Sequence, residues 1–147
     1  MIRSRREQVF TEIVLEVFKV SGLFNAEGDR LTKEYGLSSA RWKILGAIET
    51  AQIPLTVPQI ARQMGQSRQA VLRVVNNMRQ DGLLVLQHNP EHKRAKLVSL
   101  TTFGKETYLK LEKKQIPWAK ACSRNVDEKE MEIALSVLQQ IAHSLEG

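Results

Sequence analysis

Closely spaced helix-start and helix-end signals in residues 56–82 constrain the fold more than any other part of the chain. Residues 56–59 read Thr-Val-Pro-Gln, a capping box with proline in the first turn of a helix. Gly65 ends that short helix, and Ser67 caps a second, longer one. Gly82 then provides a left-handed C-terminal stop. The segment therefore predicts two helices joined by a tight turn.

A β-hairpin with a long basic tip is predicted directly after the second helix. Residues 83–86 and 96–100 are β-prone runs, and Asn89-Pro90 between them is a turn signal. This element order is typical of a winged helix-turn-helix. In that module the second helix enters the major groove of DNA, and the hairpin, or wing, can send an arginine into the minor groove.

Two helices are predicted before this segment. The first covers residues 7–33, and we expect it to fray or bend near Gly22 and Gly28 because glycine weakens helices. The second begins at a serine cap and covers about residues 38–50. Residues 52–55 are expected to form a short linker.

Two further helices are predicted after the hairpin. Thr101 caps the fifth helix, and Pro117 should kink or end it. Asp127 and Glu130 mark the start of the sixth. Its apolar stripe consists of Met131, Ala134, Leu135, Leu138, Ile141, Ala142 and Leu145. The predicted fold class is thus mainly α (α+β), with six helices and a two-stranded wing.

The positive charge of the chain is concentrated in one segment. The net charge is +6, and residues 62–96 hold seven lysines and arginines but only two acidic residues. Such a segment is either a solvated basic face or a surface that binds phosphates. Composition alone does not decide between these two interpretations.

Composition excludes several other classes of protein. Hydrophobic residues make up 42% and charged residues 26% of the chain, as in ordinary globular domains. No run approaches the roughly 20 apolar residues of a membrane span. One cysteine excludes an internal disulfide framework. We expect a soluble, cytoplasmic protein without a signal peptide.

The ordered set of motifs resembles the multiple-antibiotic-resistance regulator (MarR) family of winged-helix transcription factors. The matching stretches are residues 55–61, 67–75, 81–84 and 98–101, with Gly104. The resemblance covers the whole chain, 1–147. It implies a DNA-binding region at 37–101 and a dimerisation region formed by 1–35 and 102–147. It also implies a homodimer on a palindromic operator, usually a repressor, relieved by a small ligand or an oxidant.

The resemblance also implies roles for the outer side of the recognition helix. Ser67 is assigned to capping, with a phosphate contact as a second role. Base-edge candidates are Arg68, Gln69 and Asn76, and Arg73 is a phosphate candidate. Leu72 completes this stripe. Arg68 opposes the helix macrodipole, which DNA would offset; a tolerated surface arginine is the alternative.

In the wing, the resemblance implies that Arg94 enters the minor groove and that Lys93 and Lys96 bind flanking phosphates. This chain departs from the family at three places in the wing, one of which is Lys93, where the family often has arginine. Asn89 and His92 stand where the family usually carries acidic residues that orient the wing arginine.

An effector site is a weaker expectation. Phe18, Trp42 and Trp118 are candidates to line a cavity for a small aromatic or anionic effector, although core or dimer packing explains each of them equally well. Cys122 is expected to be an inert thiol rather than a redox switch.

No cofactor, metal site or enzyme activity is expected. His88 and His92 are four residues apart but lack a third ligand, and no nucleophile–base pairing or phosphate-cradling loop is visible. Two other functions stay open at this stage. One is a winged-helix module that binds protein or RNA, and the other is a small-molecule-binding or enzymatic helical dimer with an incidental basic face.

Overall fold

A computed structural model describes residues 2–146, so Met1 and Gly147, the two ends of the predicted range 1–147, lie outside it. Within residues 2–146 there are six α-helices and three β-strands, which confirms the predicted fold class. The helices are α1 (Arg5–Thr32), α2 (Ser39–Ala51), α3 (Val57–Met64), α4 (Arg68–Gln80), α5 (Thr102–Ser123) and α6 (Glu128–Glu146). The strands are β1 (Leu55–Thr56), β2 (Leu84–Gln87) and β3 (Leu97–Leu100).

The chain divides into two compact units within α5. The first unit ends at Glu112 and the second begins at Lys113. The first therefore contains α1 to α4, the sheet and the first half of α5. The predicted division by role, 37–101 for DNA binding and 1–35 with 102–147 for dimerisation, stays a prediction.

Helix α1 is longer and more regular than the sequence predicted. Ser4 and Glu7 form a capping box at its start, and the helix continues to Thr32 without interruption at Gly22 or Gly28. The expected fraying at these glycines was therefore wrong. A Cβ on Gly28 would lie 2.8 Å from the Ser39 hydroxyl, so glycine here allows the start of α2 to approach α1 closely.

The sheet has one strand more than the predicted wing. Strands β2 and β3 pair antiparallel as expected, with Val85 opposite Ser99. In addition, Leu55 pairs with Val98, so the end of the predicted linker 52–55 is a strand. Leu55 is buried, and its side chain reaches the core only when the backbone runs extended beside β3.

A single hydrophobic core holds the first unit together. Helices α2, α3, α4, the three strands and the first half of α5 all contribute to it. Its buried members are Ile44, Leu45, Ile48, Leu55, Ile60, Ala61, Val71, Val75, Met78, Leu83, Leu84, Val98 and Leu111. The helix-turn-helix and the wing are consequently fixed to one packed interior.

Helix α5 continues through Pro117 to Ser123. Of the two predicted outcomes at this proline, the end of the helix is therefore wrong, and a kink stays a prediction. Proline lacks the N–H that would donate to the carbonyl of Lys113, four residues earlier. The loss of one hydrogen bond does not end a helix whose other turns continue on both sides of it.

Helix α6 begins where the sequence predicted. The Asp127 carboxylate accepts a hydrogen bond from the Glu130 backbone N–H at 3.1 Å. In the single described chain, none of its residues is buried. Ile133, Leu135, Leu138 and Leu145 are all exposed.

The start of α5 packs directly on the segment that follows α4. The Thr101 hydroxyl donates to the Gly82 carbonyl at 2.5 Å and accepts from the Gly104 N–H at 3.0 Å. Gly104 is buried, and a Cβ on it would overlap the Leu83 carbonyl oxygen. Glycine at this position is therefore a packing requirement.

We expect Gly104→Ala to lower the free energy of unfolding by about 1–3 kcal/mol, because the added methyl forces α5 away from Leu83. Gly22→Ala is the matched control: nothing lies within 4 Å of its added Cβ. That change should raise the free energy of unfolding by about 0.5–1 kcal/mol. Urea denaturation measures both, and equal effects of the two substitutions would contradict the packing argument.

Candidate nucleic-acid interface

Local hydrogen bonds define the turn between α3 and α4. Thr56 and Gln59 form the predicted capping box at the start of α3. Gly65 adopts a φ of 63° and donates its N–H to the last carbonyls of that helix. The Ser67 hydroxyl then accepts from the Ala70 N–H at 3.1 Å, which starts α4. All of these helix signals confirm the sequence prediction.

Helix α4 has a buried side and an exposed side. Val71, Val75 and Met78 are buried against the core, and Val74 is half-buried. All six residues of the predicted outer stripe are exposed: Ser67, Arg68, Gln69, Leu72, Arg73 and Asn76. A helix with side chains is about 10–12 Å across, and the major groove of DNA is about 12 Å wide. The exposed side of α4 therefore has suitable dimensions for that groove.

The polar groups of this stripe differ in their availability. Ser67 uses its hydroxyl in the cap, and Asn76 Oδ1 accepts a long hydrogen bond of 3.4 Å from Arg79. Among residues 2–146, no carboxylate forms an ion pair with Arg68 or Arg73. Leu72 is 47% exposed, although it is a large apolar residue. The stripe thus offers guanidinium, amide and aliphatic groups together.

The wing presents exposed cations on a loop between β2 and β3. Lys93, Arg94 and Lys96 are exposed, and no described carboxylate forms an ion pair with any of them. The loop also contains a set of side-chain hydrogen bonds to its own backbone, made by Asn89 and His92. The predicted basic tip is therefore present, with Arg94 on an internally bonded loop.

An ion pair compensates one of the two negative charges in the basic segment 62–96. Arg41 on α2 lies 2.7 Å from the Asp81 carboxylate at the end of α4. Glu91 is the other acidic residue of segment 62–96, and it lies in the wing. Sequence reasoning missed the role of Arg41, because no local pattern connects residues forty positions apart. This pair increases the positive character of the surface beside α4.

The three aromatic candidates for an effector site have different environments. Phe18 is 71% exposed, whereas Trp42 and Trp118 are half-buried. Trp42 lies in the first unit and Trp118 in the second. Their joint membership of one cavity stays a prediction.

The side of α2 that carries Trp42 also carries negative charge. Glu49 lies two turns after Trp42 and so shares its face of the helix. Burial raises the pKa of the Tyr108 hydroxyl above its ordinary value. The Glu112 carboxylate, which accepts its hydrogen bond at 3.2 Å, and Glu49 raise that pKa further. Two carboxylates at this place oppose the binding of an anion.

The structure also bears on the cysteine, on a possible metal site and on a possible membrane span. Cys122 is an exposed free cysteine near the end of α5. Within the described part of the chain, no three His, Cys, Asp or Glu side chains cluster as a metal site would require. Between residues 2 and 146, no helix combines the length and apolar character of a membrane span.

Comparison with known proteins shows which family and which structures this chain resembles. A model of the MarR family matches residues 35–95, which include the helix-turn-helix and the wing loop. A MarR/EmrR family transcriptional regulator from Acinetobacter sp. ADP1 has a similar structure, with a TM-score of 0.82 and 18% identity over 94% of this chain and 97% of that one. Residues 35–95 are thus similar to the MarR family, and the fold of the chain is similar to that of a solved MarR/EmrR family regulator.

Two other proteins resemble the chain, one in sequence and one in structure. The uncharacterized protein Rv2011c of Mycobacterium tuberculosis is 39% identical over 93 residues. Those residues are 63% of this chain, and the match spans 64% of the length of that relative. CouR from Rhodococcus jostii, solved with bound p-coumaroyl-CoA, has a TM-score of 0.79 and 18% identity over 88% of this chain and 91% of its own. The latter similarity concerns the fold.

Proposed function

We propose that this chain is a MarR-family transcriptional regulator that binds duplex DNA in a sequence-specific manner as a homodimer. The observation that carries the proposal is the exposed outer stripe of α4, next to a wing whose cations have no described ion-pair partner. A helix supplies base-edge contacts in the major groove, while a neighbouring basic loop supplies backbone and minor-groove contacts. The exposed stripe and the wing together provide both kinds of contact.

The side chains of α4 have distinct proposed roles. Arg68 suits a guanine edge, and Gln69 and Asn76 suit adenine, because their donors and acceptors match those edges. Leu72 would contact a thymine methyl, the apolar group that the major groove presents. Arg73, together with the Ser67 hydroxyl, would bind phosphate and so set the position of the helix without reading sequence.

The wing has a complementary proposed role. Arg94 would enter the minor groove, where narrow A·T stretches concentrate negative potential. Lys93 and Lys96 would bind the phosphates on either side. These contacts would contribute affinity and a preference for A·T-rich flanks.

Exposed apolar side chains support the homodimer. Helix α6 exposes Leu135 and Leu138 to solvent, and α1 exposes Phe10, Leu15 and Phe18. Such apolar faces usually mark contact surfaces. A twofold dimer would place its two α4 helices about 34 Å apart, which suits successive major grooves and an inverted-repeat operator.

We further propose that the regulator is a repressor that responds to an effector. A dimer bound at a promoter excludes other proteins from the same DNA. An effector would act by binding more tightly to a dimer whose α4 helices have the wrong separation. CouR was solved with bound p-coumaroyl-CoA. The Glu49 carboxylate, on the side of α2 that carries Trp42, favours an aromatic rather than an anionic effector at that side.

The function is tested by selecting bound duplexes from a random DNA pool. We expect an inverted repeat whose half-sites lie one helical turn apart. Repeated with Arg68→Ala or Asn76→Ala, the selection should lose base preference at one position per half-site, whereas Arg73→Ala should weaken binding and keep the motif. Enrichment of no motif, or tighter binding of RNA than of duplex DNA, would favour an interaction module instead.

We expect Arg94→Ala to weaken binding to the selected operator about tenfold and to reduce the dependence of affinity on salt by about one phosphate contact. Thermal stability should stay unchanged because the side chain is exposed. Lys19→Ala is the control, since it removes one exposed positive charge from α1. Equal operator affinity for wild type and Arg94→Ala would refute the wing role.

We expect Leu138→Glu to convert the dimer to a monomer, because the substitution buries a charge in an apolar contact. Gln139→Glu places the same charge at the adjacent exposed position of α6 and should leave the dimer intact. Analytical ultracentrifugation measures both variants. If Leu138→Glu sediments as a dimer, α6 is not the contact surface that we propose.

A further inference from the structure

Two neutral side chains of the wing hold the backbone around Ala95. Asn89 Nδ2 donates to the Ala95 carbonyl at 2.9 Å, and His92 Nδ1 accepts from the Ala95 N–H at 3.2 Å. Both backbone polar groups of one residue are thus bonded to side chains. We call this pair of bonds the wing clamp.

Further bonds of Asn89 fix the other side of the loop. Its Oδ1 accepts from the Glu91 N–H at 3.0 Å, and its backbone carbonyl accepts from the His92 N–H at 3.3 Å. Asn89 therefore bonds to both ends of the turn that contains Lys93 and Arg94. Because these bonds run between residues 89 and 95, they close the segment on itself.

The chemical form of His92 follows from its bond. Since Nδ1 accepts a hydrogen bond, it carries no proton, and the neutral ring carries its proton on Nε2. The clamp consequently adds no charge of its own to the wing. It needs an acceptor at the position of Nδ1 and does not need an acid.

The clamp encloses the residue expected to contact DNA. Arg94 lies between His92 and Ala95, and its side chain is exposed. Ordering a flexible backbone on binding costs conformational entropy. A loop that is already ordered before binding avoids that loss when the complex forms.

We propose that Asn89 and His92 are positioning residues that hold the wing in the conformation from which Arg94 binds DNA. This inference rests on the proposed function of the chain as a DNA-binding regulator. The clamp orients the Arg94 backbone through two uncharged side chains, those of Asn89 and His92. The clamp therefore adds no carboxylate to the one that Glu91 already places in the wing, and so no further repulsion of DNA phosphates.

Two His92 variants separate the acceptor from the ring. His92→Asn keeps an acceptor, because Oδ1 of asparagine is as many bonds from Cα as Nδ1 of histidine. His92→Phe keeps an aromatic ring at this position, a phenyl in place of the imidazole, but the phenyl has no hydrogen-bond acceptor. His88→Ala is the control, an exposed histidine of the same wing with no role in the clamp.

Operator affinity of the full-length protein is the first measurement. His92→Phe should bind about twofold to tenfold more weakly than wild type, the range expected for one net hydrogen bond. His92→Asn should restore most of the affinity, and His88→Ala should match wild type. Asn89→Ala should weaken binding at least as much as His92→Phe, because it removes two bonds to the loop.

A double-mutant cycle with Arg94→Ala distinguishes positioning from a general structural role. If His92 acts through Arg94, the effect of His92→Phe should disappear once Arg94 is alanine. An effect of the same size in both backgrounds would overturn the proposal, as would wild-type affinity for His92→Phe. Failure of the wild-type protein to bind the operator would instead refute the proposed function.

Hydrogen exchange in the free protein gives a measurement that needs no DNA. The Ala95 amide should exchange more slowly in wild type and His92→Asn than in His92→Phe. Equal exchange in all three proteins would overturn the clamp itself.

Discussion

Burial of one side of α4 in a core shared with α2, the sheet and α5 is the constraint on which the rest of the structure depends. Val71, Val75 and Met78 fix the helix by packing, so its opposite side needs no contact with the protein. A side chain on that opposite side can therefore change its chemistry with little effect on stability. This separation explains how a rigid helix can carry an outer stripe that is free to bind another molecule.

Most of the helix boundaries could be predicted because the signals that set them are local. Ser38, Thr56, Ser67 and Asp127 each accept a hydrogen bond from a backbone N–H two or three residues into the following helix. The spacing of such a bond is visible in the sequence itself. The exposed and buried sides of α4 follow equally directly from the 3.6-residue period.

The misjudged elements depend on partners that are distant in sequence. Helix α1 continues through Gly28, where Ser39 packs against the space left by the missing side chain. Leu55 becomes a strand only because Val98 provides its partner. In the candidate site, the wing cations were visible in the composition, but the bonds that shape their loop were not. Which atoms of Asn89 and His92 meet the backbone of Ala95 depends on the path of the loop in space.

The hydrogen bond from Thr101 to the carbonyl of Gly82 joins the residue that precedes α5 to the left-handed residue just after α4. Leu83 lies against Gly104 at the same place, with no space for even a methyl group between them. The end of α4 and the start of α5 are therefore connected by direct packing and a hydrogen bond. A tilt of α5 at its first turn would be transmitted to the C-terminal end of α4 rather than absorbed by a flexible connection.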